Sequence, residues 1–169
     1  MSSVIIVCGV SGSGKSTIAR ALAERLSARF VEGDEHHPKS NVEKMASGHP
    51  LTDDDRTAWL ASICKDLAIH MDKVNILACS ALTPYVQSFL KERLGERICW
   101  VKLEISEETA NARMNARMEA QSHFMPSSLL QSQFEAWHPP ASGLTISSEQ
   151  PVAHIIDGIA DFLKTTQNS

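Results

Sequence analysis

The sequence predicts an α/β fold in which a five-stranded parallel sheet is covered by helices on both faces. Five short apolar runs recur along the 169 residues, and a longer segment of helical character follows each of them. A chain that alternates strand and helix in this way needs a crossover between successive strands. Such crossovers produce a parallel sheet with helices packed against it.

The strands are predicted from apolar and β-branched runs. They are VIIVC (4–8), FVEGD (30–34), VNILACSAL (74–82), RICWVKLEI (97–105) and LTIS (144–147). The first run is apolar throughout, as expected of a strand that is buried on both faces.

Helix signals separate the strands. Ile18, Leu22 and Leu26 lie on one face of a helix that follows the first strand. Thr52 with Asp55 three residues later predicts a capped helix start. Further helices are predicted to begin at Thr83-Pro84, Ser106 and Pro151. No repeat or linker divides the chain, so we interpret residues 1–169 as a single domain.

Composition and charge argue against several classes of protein. The net charge of −4 disfavours a general nucleic-acid or membrane-surface binder. No apolar run is long enough to span a bilayer, and the N-terminus lacks the basic region of a signal peptide. The four cysteines form no C-x-x-C pair, which indicates reduced thiols in a cytosolic protein.

The first strand leads directly into GVSGSGKS (9–16), which matches G-x-x-x-x-G-K-[ST] between a strand and a helix. In such a loop, backbone N–H groups and a helix N-terminus surround phosphate oxygens. We expect Lys15 to reach the β- and γ-phosphates and Ser16 to bind Mg²⁺. The predicted ATP-binding residues of the loop are Gly9, Ser11, Gly12, Ser13, Gly14, Lys15, Ser16 and Thr17.

The remaining motifs favour phosphoryl transfer to a small acceptor. The D-x-x-G and N-K-x-D motifs of a P-loop GTPase do not occur, and the third predicted strand carries Ser80 where a motor ATPase would have an acid. A kinase of this kind needs a carboxylate near the acceptor hydroxyl and cations around the phosphoryl group. Asp34, at the end of the second strand, is the candidate carboxylate, and capping of the next turn is the structural alternative.

Arg113 and Arg117 are four residues apart, which puts them on one helical face before a polar stretch that contains methionine. They are candidates for binding phosphates from a lid of about residues 113–137, and a solvated helical face is the alternative.

Several longer motifs resemble the gluconate kinase family of P-loop kinases, which is related to the shikimate and adenylate kinases. They are EGDEHHP (32–38), NVEKMASGHPLTDDDRTAWL (41–60), ACSAL (78–82) and SHFMPSSLLQSQFEAW (122–137). With the P-loop, these segments cover most of the chain. The resemblance implies transfer of the ATP γ-phosphate to the 6-hydroxyl of D-gluconate with Mg²⁺, in a cytoplasmic enzyme that is commonly a homodimer.

The resemblance also implies roles for individual residues. Lys15, Asp34 and Arg117 would be catalytic, with Ser16 and Asp34 at the metal. The positions that would bind substrate are Asp34, His37, Lys44, Arg56, Ser80, His123 and Gln133. Chemistry supports this set, because a sugar acid needs polar partners for its hydroxyls and a cation for its carboxylate.

Two regions depart from the family pattern. After CSAL, relatives continue with lysine and a tyrosine–arginine pair, whereas Thr83 and Pro84 follow here and Gln87 lies near the arginine position. The stretch between Arg117 and His123 is also longer than in relatives. These departures leave open a kinase for a related sugar acid, polyol or shikimate, and a nucleotide-binding regulator with weakened catalysis.

Overall fold

The computed structural model of the chain describes residues 3–120 and 127–167. They form the predicted five-stranded parallel sheet. The strands are β1 (Val4–Cys8), β2 (Arg29–Glu32), β3 (Asn75–Ala78), β4 (Ile98–Glu104) and β5 (Leu144–Ser147).

Helices connect the strands and cover both faces of the sheet. They are α1 (Lys15–Leu26), α2 (Lys39–Ala46), α3 (Asp53–Ile69), α4 (Pro84–Leu94), α5 (Glu107–Ala120), α6 (Ser127–Ala136) and α7 (Val152–Gln167). Short 3₁₀ helices occur at Gly33–His36 and Gly95–Arg97. Within the described residues, no helix has the length and apolarity needed to cross a membrane.

The strand order is β2-β3-β1-β4-β5, so the first strand lies at the centre of the sheet. Val4 pairs in parallel register with Asn75 on one side and with Ile98 on the other. After β1, the chain forms β2 and β3 on one side of this strand and then crosses to form β4 and β5 on the other side. In open parallel sheets, ligands bind at the carboxyl ends of the strands next to such a switch in direction.

Side chains of β1 alternate between two apolar layers, as the pleat of a strand requires. Val4, Ile6 and Cys8 pack with α3 and α4, whereas Ile5 and Val7 pack with α1 and α7. The sheet is therefore buried on both faces, which explains the uninterrupted apolar sequence of its central strand.

A third, smaller apolar cluster joins the loop after β1 to α5 and α6. It consists of Val10, Leu82, Ala110, Met114 and Leu130, with Ile105, Phe134 and Trp137 packed against it. Helix α6 and the second half of α5 belong to the predicted lid segment, and residues 121–126 between the two helices lie outside the described part of the chain.

The third strand is shorter than predicted. It ends at Ala78, although Cys79 still donates a backbone hydrogen bond to Val7. Ala81 then adopts a φ of 43°, in the left-handed region that a strand cannot contain. Of the segment ACSAL, only Ala78 belongs to the strand, and residues 79–82 turn away at the carboxyl edge of the sheet. Two helices, α2 and α6, were not predicted as helices from the sequence.

Candidate active site

The loop after β1 has the backbone of a phosphate-binding loop. Gly12 and Gly14 have φ values of 81° and 89°, where glycine is favoured because it lacks a Cβ. At Gly12 a Cβ would also lie 2.8 Å from the carbonyl oxygen of Ala110. Helix α5 therefore packs directly on the loop.

Lys15, the first residue of α1, is half-buried beneath the loop, and its Nζ donates a hydrogen bond to the Val10 carbonyl oxygen at 3.0 Å. Burial lowers the pKa of Lys15, while the nearby carboxylates of Asp34 and Glu32 act in the opposite direction. The side chain is thus a cation positioned within the loop.

Ser16 forms a hydrogen bond that the sequence did not predict. Its Oγ donates to Oε2 of Glu32, the last residue of β2, at 2.5 Å. A hydroxyl and a carboxylate beside a phosphate-binding loop are the oxygen donors that Mg²⁺ uses together with substrate phosphates and water. The residues present fit this ion. Among the described residues, no group of three or more His, Cys, Asp and Glu side chains could hold a metal ion. An ion at this place would need substrate phosphates or water as further ligands.

Asp34 lies in the 3₁₀ helix that follows β2, and its side chain is exposed. Its backbone N–H donates to Oε1 of Glu32 at 3.4 Å, so the same carboxylate contacts Ser16 and caps the turn that carries Asp34. The negative charge of Asp34 acts on Lys15 and on His37, raising the pKa of each against the effect of burial. The His37 N–H also donates to the Asp34 carbonyl oxygen at 3.3 Å, so Asp34 lies between the Glu32 carboxylate beside the loop and the segment that follows.

Trp59 of α3 contacts the turn of Asp34 at both ends. Its buried indole N–H donates to the carbonyl oxygen of Gly33 at 2.7 Å. Its ring stacks on the imidazole of His37, with centroids 4.3 Å apart and planes 12° from parallel. Any other residue at Gly33 would force the backbone to move, because a Cβ there would lie 2.5 Å from the Ala78 carbonyl oxygen.

The segment after His37 is attached to the start of α3. Asn41 is 4% exposed, and its Nδ2 lies 2.8 Å from the carbonyl oxygen of Asp55 and 3.3 Å from Nδ1 of His37. Lys44 forms an ion pair with Asp55 at 2.5 Å. Asp55 also completes the predicted capping box with Thr52.

Arg56 and Ser80 are two further residues predicted to bind substrate. The Arg56 guanidinium is paired with Asp53 at 3.0 Å, yet only 17% of its side chain is exposed. Its charge also acts on His37, whose pKa it lowers. Ser80 is half-buried in the turn after β3, and its carbonyl oxygen accepts from the Gly9 N–H at 3.3 Å.

A cleft of about 320 Å³ opens on the other side of the loop. Arg113 donates to the carbonyl oxygen of Ser148 at 2.7 Å and to that of Gly12 at 3.4 Å. Arg117 and Thr17, both exposed, also line the cleft. The predicted pair of arginines thus borders the entrance of the phosphate-binding loop.

Gln133 of α6 contacts the loop directly, because its Oε1 accepts from the backbone N–H of Ser11 at 2.8 Å. The structure therefore connects the second helix of the predicted lid to the phosphate-binding loop. His123, another predicted substrate residue, lies outside the described residues.

Gln87, expected near an arginine position of the family pattern, connects two backbone segments. Its Nε2 donates to the carbonyl oxygens of Ala81 at 2.9 Å and His138 at 2.6 Å. The His138 N–H in turn donates to the Leu82 carbonyl oxygen at 2.9 Å. The substituted position stabilises the turn after β3 against the chain that follows α6.

Sequence reasoning missed three residues of this site, namely Glu32, Asn41 and Trp59. Glu32 had a signal, since it is an acid at the carboxyl end of a strand beside the loop. Asn41 and Trp59 lie within the motif NVEKMASGHPLTDDDRTAWL, but an asparagine in a polar segment and an apolar residue in a helix are ordinary and indicate no role of their own. His36, beside His37, lies with its Nδ1 2.8 Å from Ser62 Oγ.

The fold and this site define a nucleoside-triphosphate kinase of the P-loop class. A family profile described as an AAA domain matches residues 4–140.

Named relatives specify the family further. The chain is 42% identical to the gluconokinase of Gluconobacter oxydans over 141 residues, which cover 80% of this chain and 75% of the relative. It is 34% identical to the thermoresistant gluconokinase of Escherichia coli over 168 residues, or 95% and 93% of the two chains. The crystal structure of a gluconokinase from Sinorhizobium meliloti superposes with a TM-score of 0.86 at 39% identity, covering 99% of this chain and 95% of the other. The chain belongs to the gluconokinase family.

Proposed function

We propose that this protein transfers the γ-phosphate of ATP to the 6-hydroxyl of D-gluconate, giving 6-phospho-D-gluconate and ADP. One observation carries the proposal beyond family membership. Asp34 joins two segments: its backbone N–H donates to the Glu32 carboxylate that contacts Ser16 of the phosphate-binding loop, and its carbonyl oxygen accepts from the His37 N–H at 3.3 Å. A carboxylate between a phosphate site and a polar pocket is the arrangement that phosphoryl transfer to a hydroxyl needs.

Phosphate binding is the task of the loop and the helices packed on it. Backbone N–H groups of residues 9–17 and the N-terminus of α1 would surround the phosphate oxygens. Lys15, Arg113 and Arg117 would neutralise the negative charge that spreads over the transferring group. This role requires Lys15 to exchange its contact with Val10 for a phosphate oxygen.

Mg²⁺ would be held by Ser16 with the help of Glu32 and Asp34, and it would supply further positive charge beside the phosphates. The fit rests on the hydroxyl–carboxylate contact between Ser16 and Glu32.

The acceptor pocket would be the opening between the Asp34 turn, the start of α3 and the turn after β3. Asp34 would orient the reacting hydroxyl and accept its proton, and Arg56 would bind the carboxylate of gluconate. Lys44 is paired with Asp55, so its contribution would require an exchange of partners. The other proposed acceptor residues are His37, Ser80, His123 and Gln133.

Residues 113–137 would act as a lid within one domain spanning residues 1–169. The lid proposal rests on α6, whose Gln133 contacts the P-loop, and on α5, which packs against Gly12. A lid that excludes water prevents transfer of the phosphoryl group to water. The family resemblance adds a homodimer, and the four unpaired, buried cysteines suit the reducing cytoplasm.

Release of ADP in the presence of Mg-ATP tests the function directly. The acceptors are gluconate, idonate, ketogluconates, glucose and shikimate, with a blank that contains no acceptor. We expect a strong signal with gluconate alone. Activity confined to another acid would contradict the proposed acceptor. It would indicate that the altered turn around Gln87 determines the acceptor specificity. If no acceptor gives ADP release in protein that binds ATP, the result would favour a nucleotide-binding regulator with weakened catalysis.

The position of the carboxylate site is tested by Arg56→Ala. Because a charge-assisted hydrogen bond contributes roughly 1.5–3 kcal/mol, we expect the KM for gluconate to rise by about 10- to 100-fold. The KM for ATP should change little. Arg25→Ala, at an exposed arginine of α1, is the matched control. An unchanged KM for gluconate would move the carboxylate site elsewhere.

A further inference from the structure

The buried amide of Asn41 has an orientation that its surroundings determine. Its side-chain nitrogen lies 2.8 Å from the backbone carbonyl oxygen of Asp55. A carbonyl oxygen only accepts hydrogen bonds, so the atom that faces it must be the NH₂ group and not the amide oxygen.

The same NH₂ group also lies 3.3 Å from Nδ1 of His37. An amide nitrogen is a donor and carries two hydrogens, one for each of these neighbours. It therefore needs an acceptor at His37, and Nδ1 is an acceptor only when it carries no proton. In the neutral ring, the proton then resides on Nε2.

The position of the His37 ring is fixed as well. It lies 4.3 Å from the Trp59 ring and nearly parallel to it, and the Trp59 N–H is itself bound to the carbonyl oxygen of Gly33 at 2.7 Å. Both the tautomer and the plane of the imidazole are set before any ligand arrives.

We propose that Asn41 is a positioning residue that holds His37 as the Nε2–H tautomer, so that His37 donates a hydrogen bond to an oxygen of the acceptor. The second half of this statement rests on the proposed function, because it takes the opening beside Asp34 as the acceptor pocket. Asn41 itself contacts no substrate in this arrangement.

This arrangement separates the tasks of two neighbouring groups. A neutral imidazole that donates through Nε2 binds a hydroxyl or carboxylate oxygen and removes no proton there. The proton of the reacting hydroxyl is left to Asp34. The charged groups around His37 are Asp34, which raises its pKa, and Arg56 and His36, which lower it. Lys44 and Asp55 form an ion pair with each other on the adjoining helices.

The tautomer can be measured in the unaltered protein without substrate. Nitrogen-15 NMR of histidine-labelled protein distinguishes a protonated from an unprotonated ring nitrogen, and His37→Gln assigns the signals. We expect unprotonated Nδ1 and protonated Nε2 at pH 8, where the ring is neutral. Protonated Nδ1 would overturn the proposal.

The role of Asn41 is tested by Asn41→Asp, which keeps the side-chain shape but replaces the donor by an acceptor. The carboxylate would favour a proton on Nδ1 and raise the pKa of His37. We expect the Nδ1 signal to become that of a protonated nitrogen and the KM for gluconate to rise on the order of ten-fold. The KM for ATP should stay within about two-fold of that of the unaltered enzyme, because Asn41 does not contact the phosphate-binding loop. Unchanged histidine signals or an unchanged KM for gluconate would overturn the proposal.

Asn75→Asp is the matched control, because Asn75 is also buried and bonded through its amide, but it lies in β3 beside Arg29. It introduces a buried carboxylate away from His37 and should leave both the His37 signals and the KM for gluconate unchanged. If the unaltered enzyme proves inactive on gluconate, the proposed function fails. The NMR result still decides the tautomer, and the KM comparison then uses whichever acceptor the assay identifies.

Discussion

At Lys15, two opposing electrostatic effects act on one ammonium group. Burial beneath the loop disfavours the charged form, and the carboxylates of Asp34 and Glu32 favour it. In the proposed mechanism, these acids would keep a phosphate-binding cation charged before substrate binds. Removing either acid would shift the pKa of Lys15 further in the direction that burial already drives it.

Replacing Asp34 by Asn separates its role at the acceptor from any role in ATP binding. The amide keeps the size of the side chain but accepts no proton, so we expect kcat to fall by about 10²- to 10⁴-fold. Steady-state kinetics with varied ATP and varied gluconate provide the measurement. Glu35→Gln, at the exposed neighbouring residue, is the control. A raised KM for ATP with a normal kcat would show that Asp34 does not act at the acceptor.

Glu32 is expected to influence the metal through Ser16. In Glu32→Gln the carboxylate charge is lost while one carbonyl oxygen remains to accept from Ser16, so the attraction for Mg²⁺ is weakened and only the longer bond from the Asp34 N–H is given up. We expect the Mg²⁺ concentration for half-maximal activity to rise by about ten-fold. A titration of activity with Mg²⁺ at fixed ATP measures it. An unchanged Mg²⁺ requirement would assign Glu32 to capping the Asp34 turn alone.

At the scale of elements, the start of α3 supports the proposed acceptor pocket. The Thr52 Oγ1 accepts from the Asp55 N–H at 3.2 Å, and the Asp55 carboxylate accepts from the Thr52 N–H at 2.8 Å. The same carboxylate binds Lys44 of α2. A helix cap thereby also fixes the helix that carries Asn41.

This cap predicts both a stability change and a pH dependence. Thr52→Ala should cost about 1 kcal/mol of unfolding free energy and lower Tm by about 2–4 °C, whereas Thr52→Ser should retain the cap.

The Lys44 ammonium and the bonds with Thr52 lower the pKa of Asp55 from its usual 3.8 to about 2. Because the folded-state value is the lower one, the stabilisation by Asp55 is complete above about pH 4 and is lost as the pH falls towards 2. Thermal melts of Asp55→Asn should therefore differ from the unaltered protein at pH 7 and converge with it near pH 2. A constant difference in Tm would contradict the assignment.

At the scale of the whole molecule, the parts predicted from sequence are those in which local pattern and tertiary packing agree. The central strand and the P-loop were predicted because β1 is apolar on both faces and the glycine spacing is specific. Helix α2 was missed because Asn41 is its one buried residue, so no apolar stripe marks it. The end of β3 was missed because the positive φ of Ala81 arises from the turn and not from a glycine. Contacts between distant segments, such as Ser11 with Gln133, leave no local signal at all.

The central position of the P-loop predicts how ligand binding changes the stability of the whole chain. The loop joins β1, at the middle of the sheet, to α1, and α5 packs on it at Gly12. A ligand that binds only the folded protein, present at 100 times its Kd, adds about 2.7 kcal/mol to the free energy of unfolding, which should raise Tm by about 5–10 °C.

Lys15→Ala should lose most of this shift in Tm at the same Mg-ATP concentration and reduce turnover by at least about 10²-fold. Its Tm without ligand should change little, because the hydrogen bond from Nζ to Val10 is replaceable by water at this half-buried position. Lys39→Ala, at a side chain that is 90% exposed, is the control and should show the full shift. An equal shift in Lys15→Ala would mean that ATP binds away from the P-loop, and the assignment of this loop would then be wrong.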